Sequence, residues 1–150
     1  MTRDEDALRM LAEVEAANTD LAERAKAPIW HHPALGVLIG GLIGVQALPI
    51  PLVVAFYAVY LAGLWLLVRA YKRHTGMWVS GYRAGRTRWI AVGLAALATL
   101  GGLISLWLVH ERGLTLAPLV FGALVAVIVT IGGFVWEAAF RADLRDGGSL

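Results

Sequence analysis

Four uncharged, almost wholly apolar runs divide this chain and dictate the solvent in which it folds. Residues 33–48, 50–68, 89–109 and 114–136 contain no Asp, Glu, Lys or Arg. A bilayer core of about 30 Å selects apolar stretches of roughly 18 or more residues, and the last three runs reach that length. The first is shorter. At about 1.5 Å per residue it extends about 24 Å, so as a span it needs Trp30 and its neighbours at the interface, or a locally thinned bilayer. A buried helix of a water-soluble protein is the competing reading, and it is disfavoured because the next apolar run follows directly after Pro49. An apolar share of 59% beside 16% charged residues lies outside the soluble range. The expected fold is all-α, a polytopic membrane protein with a four-transmembrane-helix bundle in residues 28–137. A cytoplasmic amphipathic helix at 1–27 precedes it and a cytoplasmic tail at 138–150 follows.

Charge sets the expected orientation, because Lys and Arg are retained on the cytoplasmic side. Of thirteen such residues, all but Arg112 fall in the N-terminal segment, the connection 69–88 or the tail. Both termini and that connection then share the cytoplasmic compartment, with two short turns outside. Eleven arginines against two lysines, with abundant Ala, Gly, Val and Leu, suggest a GC-rich bacterial genome and hence the inner membrane.

Within the N-terminal segment, Ala7, Met10, Leu11, Val14, Ala17, Leu21 and Ala25 recur at helical spacing opposite a charged face. Thr2 and Glu5 have capping-box spacing, and Pro28 sets the latest end of the helix. At "ANTD", Asn18 or Asp20 could start a second helix. Seven acids against four bases make this helix unlike those that lie on anionic lipid, so its stripe is expected to meet protein: the bundle, a partner or a short coiled coil.

Packing cues appear in every span. Gly36, Gly40 and Gly44 repeat every four residues and line one face, where a second backbone can approach closely. Weaker small faces are formed by Ala58 and Ala62, by Ala91, Ala95 and Thr99, and by Gly122, Ala126 and Thr130. The glycine face is expected to pack within the chain, and a homo-oligomer is its alternative use.

Chemistry is sparse. With no cysteine, disulfides, thiolate catalysis and cysteine metal sites are excluded. No Asp, Glu, Lys, Arg or His lies inside a span, and such residues mark proton relays and ion paths, so a proton-coupled carrier is not expected. Glu137 closes the last span, with Arg141 one turn on as an (i, i+4) partner and Arg69 as a cross-bundle alternative. His31, His32 and His74 share one side. Adjacent histidines diverge on a helix and no second acid or histidine falls at ligand spacing, so no metal site is expected. "IWHHP" reads instead as an interfacial lead-in, with Pro33 opening the helix. No nucleophile elbow, HExxH or carboxylate pair is present, so neither an enzyme nor a cofactor is expected.

"YKRHTGMWVSGYRAGRTR" at 71–88 is the basic, aromatic passage. Gly76 and Gly81 have phosphate-loop spacing, but Tyr82 and Arg83 follow where Lys and Ser or Thr are required. Topology explains much of the passage: Arg69, Lys72, Arg73, Arg83, Arg86 and Arg88 anchor helix ends, while Trp78, Tyr82 and Trp89 join an aromatic belt. Its length exceeds a simple connection. It is therefore expected to form an ordered cap, with Arg69, Lys72, Arg73, Trp78, Tyr82, Arg83, Arg86 and Arg88 touching anionic lipid headgroups or a protein partner. Nucleic acid is not expected at a site against the membrane.

"TGMWVSGYRAGRTR", with "WHHP" ahead of the first run, resembles small, uncharacterised four-span bacterial membrane proteins. The resemblance implies a four-span fold from about Trp30 onward and carries no functional residue across. The expected function is a non-enzymatic accessory or regulatory membrane protein that engages a protein or anionic lipid through its cytoplasmic face. A small oligomeric transporter or channel subunit is the alternative. A lipid-modifying enzyme using His31, His32, Glu137 and Arg69 at the interface comes third.

Overall fold

A computed structural model describes residues 3–76 and 86–145. Among them the chain is helical, without strands: α1 (Arg3–Arg24), α2 (His31–Gly44), a 3-10 turn (Val45–Ala47), α3 (Ile50–Thr75), α4 (Arg86–Arg112) and α5 (Ala117–Arg145). The helices α3, α4 and α5 are each long and apolar enough to cross a membrane, at about 39 to 44 Å from their 26, 27 and 29 residues. They leave many large apolar side chains uncovered, including Leu61, Trp65, Leu103, Trp107, Val127 and Ile131. So extensive an exposed apolar surface is foreign to a water-soluble monomer and compatible with a multi-pass helical membrane protein. At 14 residues, α2 falls short of that length.

Helix ends follow backbone chemistry rather than the limits of the apolar runs. Helix α3 continues through Arg69, Lys72 and Arg73 to Gly76, whose φ of 69° suits a residue without Cβ. The Gly76 N–H donates to the Lys72 carbonyl at 3.0 Å, and the basic last turn complements the negative helix end. Helix α4 stops the same way at Gly113, φ 65°. At the α2–α3 turn, Leu48 is extended, as the residue before proline prefers. Pro49 caps α3 and its carbonyl receives the Leu52 N–H at 2.9 Å. Helix α2 begins at His31, two residues before Pro33, which sits in the first turn where no N–H is required.

The most intimate packing joins α2 to α5, antiparallel and nearly backbone to backbone. A Cβ at Gly40 would lie 2.7 Å from the Ala126 Cβ and 3.0 Å from its nitrogen, and one at Gly122 would lie 2.5 Å from the Gly40 carbonyl oxygen. A Cβ at Gly36 would lie 2.5 Å from the Ala126 carbonyl oxygen. At Gly44 the nearest atoms are 3.8 Å away, on Leu119 and Pro118. Of the four glycines of α2, Gly36, Gly40 and Gly44 are buried within the chain, against the small face of α5. Ile43, Val125 and Val129 make the adjoining core with Leu35, Ile39, Ala98 and Phe121.

Helix α4 packs on α5, with Leu94 over Gly132 and Val125 over Gly101, while α3 leans on α2 through Phe56 on Gly41 and Leu38 on Gly63. Ala58 and Ala62 remain exposed, and of the small face on α4, Thr99 is exposed and bonds back to the Ala95 carbonyl.

Helix α1 is continuous through "ANTD". Thr19 Oγ1 donates to the Glu15 carbonyl at 2.9 Å, so its hydroxyl is satisfied inside the helix instead of capping a new one. Only its C-terminal end docks, through Ala22 and Ala25 on Phe140 and Leu144 of α5. Leu8, Met10, Leu11 and Val14 stay exposed. Thr2 lies outside the described residues.

Candidate functional site

At the end of the helix array where α1 docks, α5 carries Gly133, Glu137 and Arg141 at four-residue intervals. Gly133 and Glu137 both meet His32 of α2, and Arg141 meets the end of α1. The sequence offers Arg141 or Arg69 as the partner of Glu137, and the structure corrects both. Glu137 Oε2 accepts from His32 Nε2 at 2.6 Å, and its Oε1 accepts from the Ala27 N–H at 3.3 Å. Arg141 is drawn away because the last carbonyls of a helix lack intrahelical donors. Its Nε donates to the Ala22 carbonyl at 3.2 Å and its Nη2 to Glu23 Oε1 at 2.7 Å. Arg145 adds a second bond to Glu23 at 3.1 Å. The Arg141 hydrogen bond and charge, reinforced by Arg145, hold the Glu23 carboxyl below its ordinary range.

Space for His32 comes from Gly133. A Cβ there would stand 2.6 Å from His32 Nδ1, and the ring packs edge-on to Phe134 with centroids 4.8 Å apart. Both members of the His32–Glu137 pair are largely buried, with side chains 8% and 12% exposed. His31 points to a different neighbour, the Tyr71 ring of α3, at 5.2 Å between centroids.

These residues rim a cavity of about 320 Å³. Its polar part is made by His31, His32, Tyr71 and Glu137, and its body by Leu35, Ile39, Leu94, Ala95, Ala98 and Val129. Ala91 and Ala95, which read from the sequence as a packing face, line this space instead. Trp136 also lines it, stacked on Phe140 at 5.2 Å and 10°. Among the described residues, the buried atoms Trp136 Nε1 and His31 Nδ1 have no hydrogen-bond partner. No group of three potential ligands with metal-binding geometry occurs among those residues.

The cationic positions expected to touch lipid or partner are only partly gathered. Arg69 lies over the exposed Trp65 ring, 5.1 Å from its centroid, a cation–π arrangement. Arg69, Lys72 and Arg73 share one exposed flank of α3, and Arg69 and Arg73 border a shallow groove with Trp30 and Pro28. None of the three reaches the His32–Glu137 cavity, so the interfacial set of His31, His32, Glu137 and Arg69 is brought together without its arginine. Arg88 is exposed in the first turn of α4, and Arg86 is its first residue. Trp78, Tyr82 and Arg83, and with them the ordered cap, lie outside the described residues.

Sequence reasoning missed Tyr71, Gly133 and Trp136 as site residues. The available signal was the four-residue step from Gly133 to Glu137, which puts a space-making glycine one turn below a carboxylate. Comparison with protein-family models, with curated proteins and with solved structures finds no match.

Proposed function

We propose that the chain is a four-span inner-membrane protein with both termini and the connection between α3 and α4 in the cytoplasm. In this reading it acts as a non-enzymatic accessory or regulatory protein that engages a protein partner through its cytoplasmic face. Support for the fourth span comes from the position of α2, packed between α3 and the long α5. With its 3-10 turn it extends about 27 Å, close to the bilayer core. Charge supports the orientation, since the cations cluster at the end bearing His31 and Arg145, and Arg112 stands at the other.

The observation that carries the functional reading is the apolar stripe of α1. Ala7, Met10, Leu11 and Val14 stand at i, i+3, i+4 and i+7, the spacing by which a helix enters a partner's groove, and Met10 and Leu11 are 66% and 61% exposed. Ala22, Ala25 and the Glu23–Arg141 pair hold the helix root on α5, so the stripe is presented from a fixed base. Anionic headgroups are the proposed contact of the eight basic and aromatic positions from Arg69 to Arg88.

A photo-crosslinking residue placed at Leu11 in native membranes tests this. A discrete heterologous adduct, lost when Val14→Asp is added, is the expected result. Adducts only with lipid or with a second copy of the chain count against it. A reporter active only outside the cell, fused after Leu150, is expected to be silent.

A further inference from the structure

We propose that the cavity between α2, α4 and α5 is a binding site for a neutral amphiphile: an uncharged head that accepts hydrogen bonds, joined to a hydrocarbon chain. The proposal is independent of any partner for α1, since the cavity and the stripe lie on different surfaces. Its volume of about 320 Å³ lies within the range of small-molecule sites, about 300–1,000 Å³.

Polarity along the cavity specifies the ligand's shape. The body is walled by Leu35, Ile39, Leu94, Ala98 and Val129, and polar groups gather toward His32 and Glu137. Such walls do not hold water, which needs two to four polar partners, and they suit a hydrocarbon chain. The small side chains of Ala91 and Ala95 leave the room.

The polar end specifies the head. Buried polar atoms are ordinarily hydrogen-bonded, yet Trp136 Nε1, which can only donate, and His31 Nδ1 have no partner among the described residues. Both residues line the cavity. Both atoms are covered at the cavity wall, so a carbonyl or hydroxyl oxygen on a ligand meets the indole N–H once the ring turns toward it, and His31 can donate or accept according to its tautomer.

Charge selects against a phosphate-bearing head. Among the described residues the lining holds no Arg or Lys and one carboxylate, which repels anions, while Arg69 is turned to Trp65 and Arg141 to Glu23. That carboxylate is already met by His32 and the Ala27 N–H, so a cationic head gains little. Two membrane sources share the remaining chemistry, a prenylquinone and a diacylglycerol.

Native mass spectrometry of the full chain released from detergent micelles tests the site. The probes are decylubiquinone, dioctanoylglycerol and dioctanoylphosphatidylglycerol, and the protein is compared with Ala95→Leu and Trp136→Phe. Saturable one-to-one binding of a neutral probe is expected, at least about tenfold tighter than the anionic lipid. Ala95 is exposed toward the cavity, so leucine there fills the site without crowding the helix core, and a loss of about tenfold or more is expected. Trp136→Phe keeps the stack on Phe140 and removes the donor, for a loss of about three- to tenfold. The source is whichever neutral probe binds in the Trp136-sensitive manner, and binding of both supports the shared chemistry. Absence of saturable neutral binding, equal binding of the anionic lipid, or unchanged affinity in both variants overturns the proposal.

Discussion

Gly36, Gly40 and Gly44 of α2 look equivalent in sequence, and the structure makes the alanine variants of Gly40 and Gly44 differ in sign. At Gly40 a Cβ would press on α5 backbone, with the Ala126 nitrogen at 3.0 Å and the Ala126 Cβ at 2.7 Å, where carbon contacts prefer about 3.5–4.0 Å. Backbone cannot rotate away as a side chain can, so the helices must part by roughly 1 Å, loosening the core of Ile43, Val125 and Val129 beside the crossing. Overpacking of this kind costs about 1–3 kcal/mol, and the lower chain entropy of alanine returns about 0.5–1 kcal/mol. Gly40→Ala is therefore expected to destabilise by about 1–2 kcal/mol. Gly44→Ala meets nothing nearer than 3.8 Å, keeps only the entropic gain, and is expected to stabilise by about 0.5 kcal/mol. Unfolding of the purified protein by dodecyl sulfate, followed by far-ultraviolet circular dichroism, reads the difference. Gly122→Ala opens the same crossing from the other side, a Cβ there meeting the Gly40 oxygen at 2.5 Å. The Gly40→Ala, Gly122→Ala pair should thus cost less than the sum of its parts. Equal destabilisation by Gly40→Ala and Gly44→Ala, or none by either, would refute a backbone-close α2–α5 crossing.

Removing His32 leaves Glu137 buried with only the Ala27 N–H, so His32→Ala is expected to cost about 3 kcal/mol in the same unfolding assay. Combining His32→Leu with Glu137→Leu should recover most of that loss, since an apolar pair needs no compensation. Phe140 is 3% exposed beneath Ala22 and Ala25, and Phe140→Ala is expected to cost about 3 kcal/mol and to raise amide exchange at the root of α1. The Glu23 carboxyl is held below its ordinary value of 4.5, so its contribution is complete above 4.5 and is lost as pH falls through the lower folded value. A distance probe between Glu15 and Asp143 should report α1 loosening in that acid window, and the same acid response in Glu23→Gln would contradict the assignment.

Much of the architecture was legible because burial in lipid writes itself into composition. Apolar runs located α3, α4 and α5, but they marked where the uncharged stretch ends rather than where the helix ends. The run 50–68 belongs to a helix reaching Thr75, and 114–136 to one reaching Arg145, because charged residues do not stop a helix whereas a left-handed glycine such as Gly76 does. That α1 is a helix was legible too. What its stripe would face was not, since spacing describes one helix and docking depends on two.

Pairing at the candidate site was illegible for a related reason. Local spacing offered Arg141 to Glu137 at i+4, yet Arg141 is captured by the carbonyl end of α1 and by Glu23, groups more than a hundred residues away in the chain. Small residues carry the same ambiguity. Gly36 and Gly40 on α2, and Ala91 and Ala95 on α4, both spell a small face at four-residue spacing, but only the first pair is opposed by a matching face on α5. Where two small faces align, backbones meet and the space closes, as at Gly40 and Gly122. Where one lies opposite large side chains from several helices, as Ala95 lies opposite Ile39, Val129 and Tyr71, the missing volume becomes a cavity. A small-residue motif in a membrane helix thus predicts either tight contact or empty space, and the register of the opposing helix decides between them.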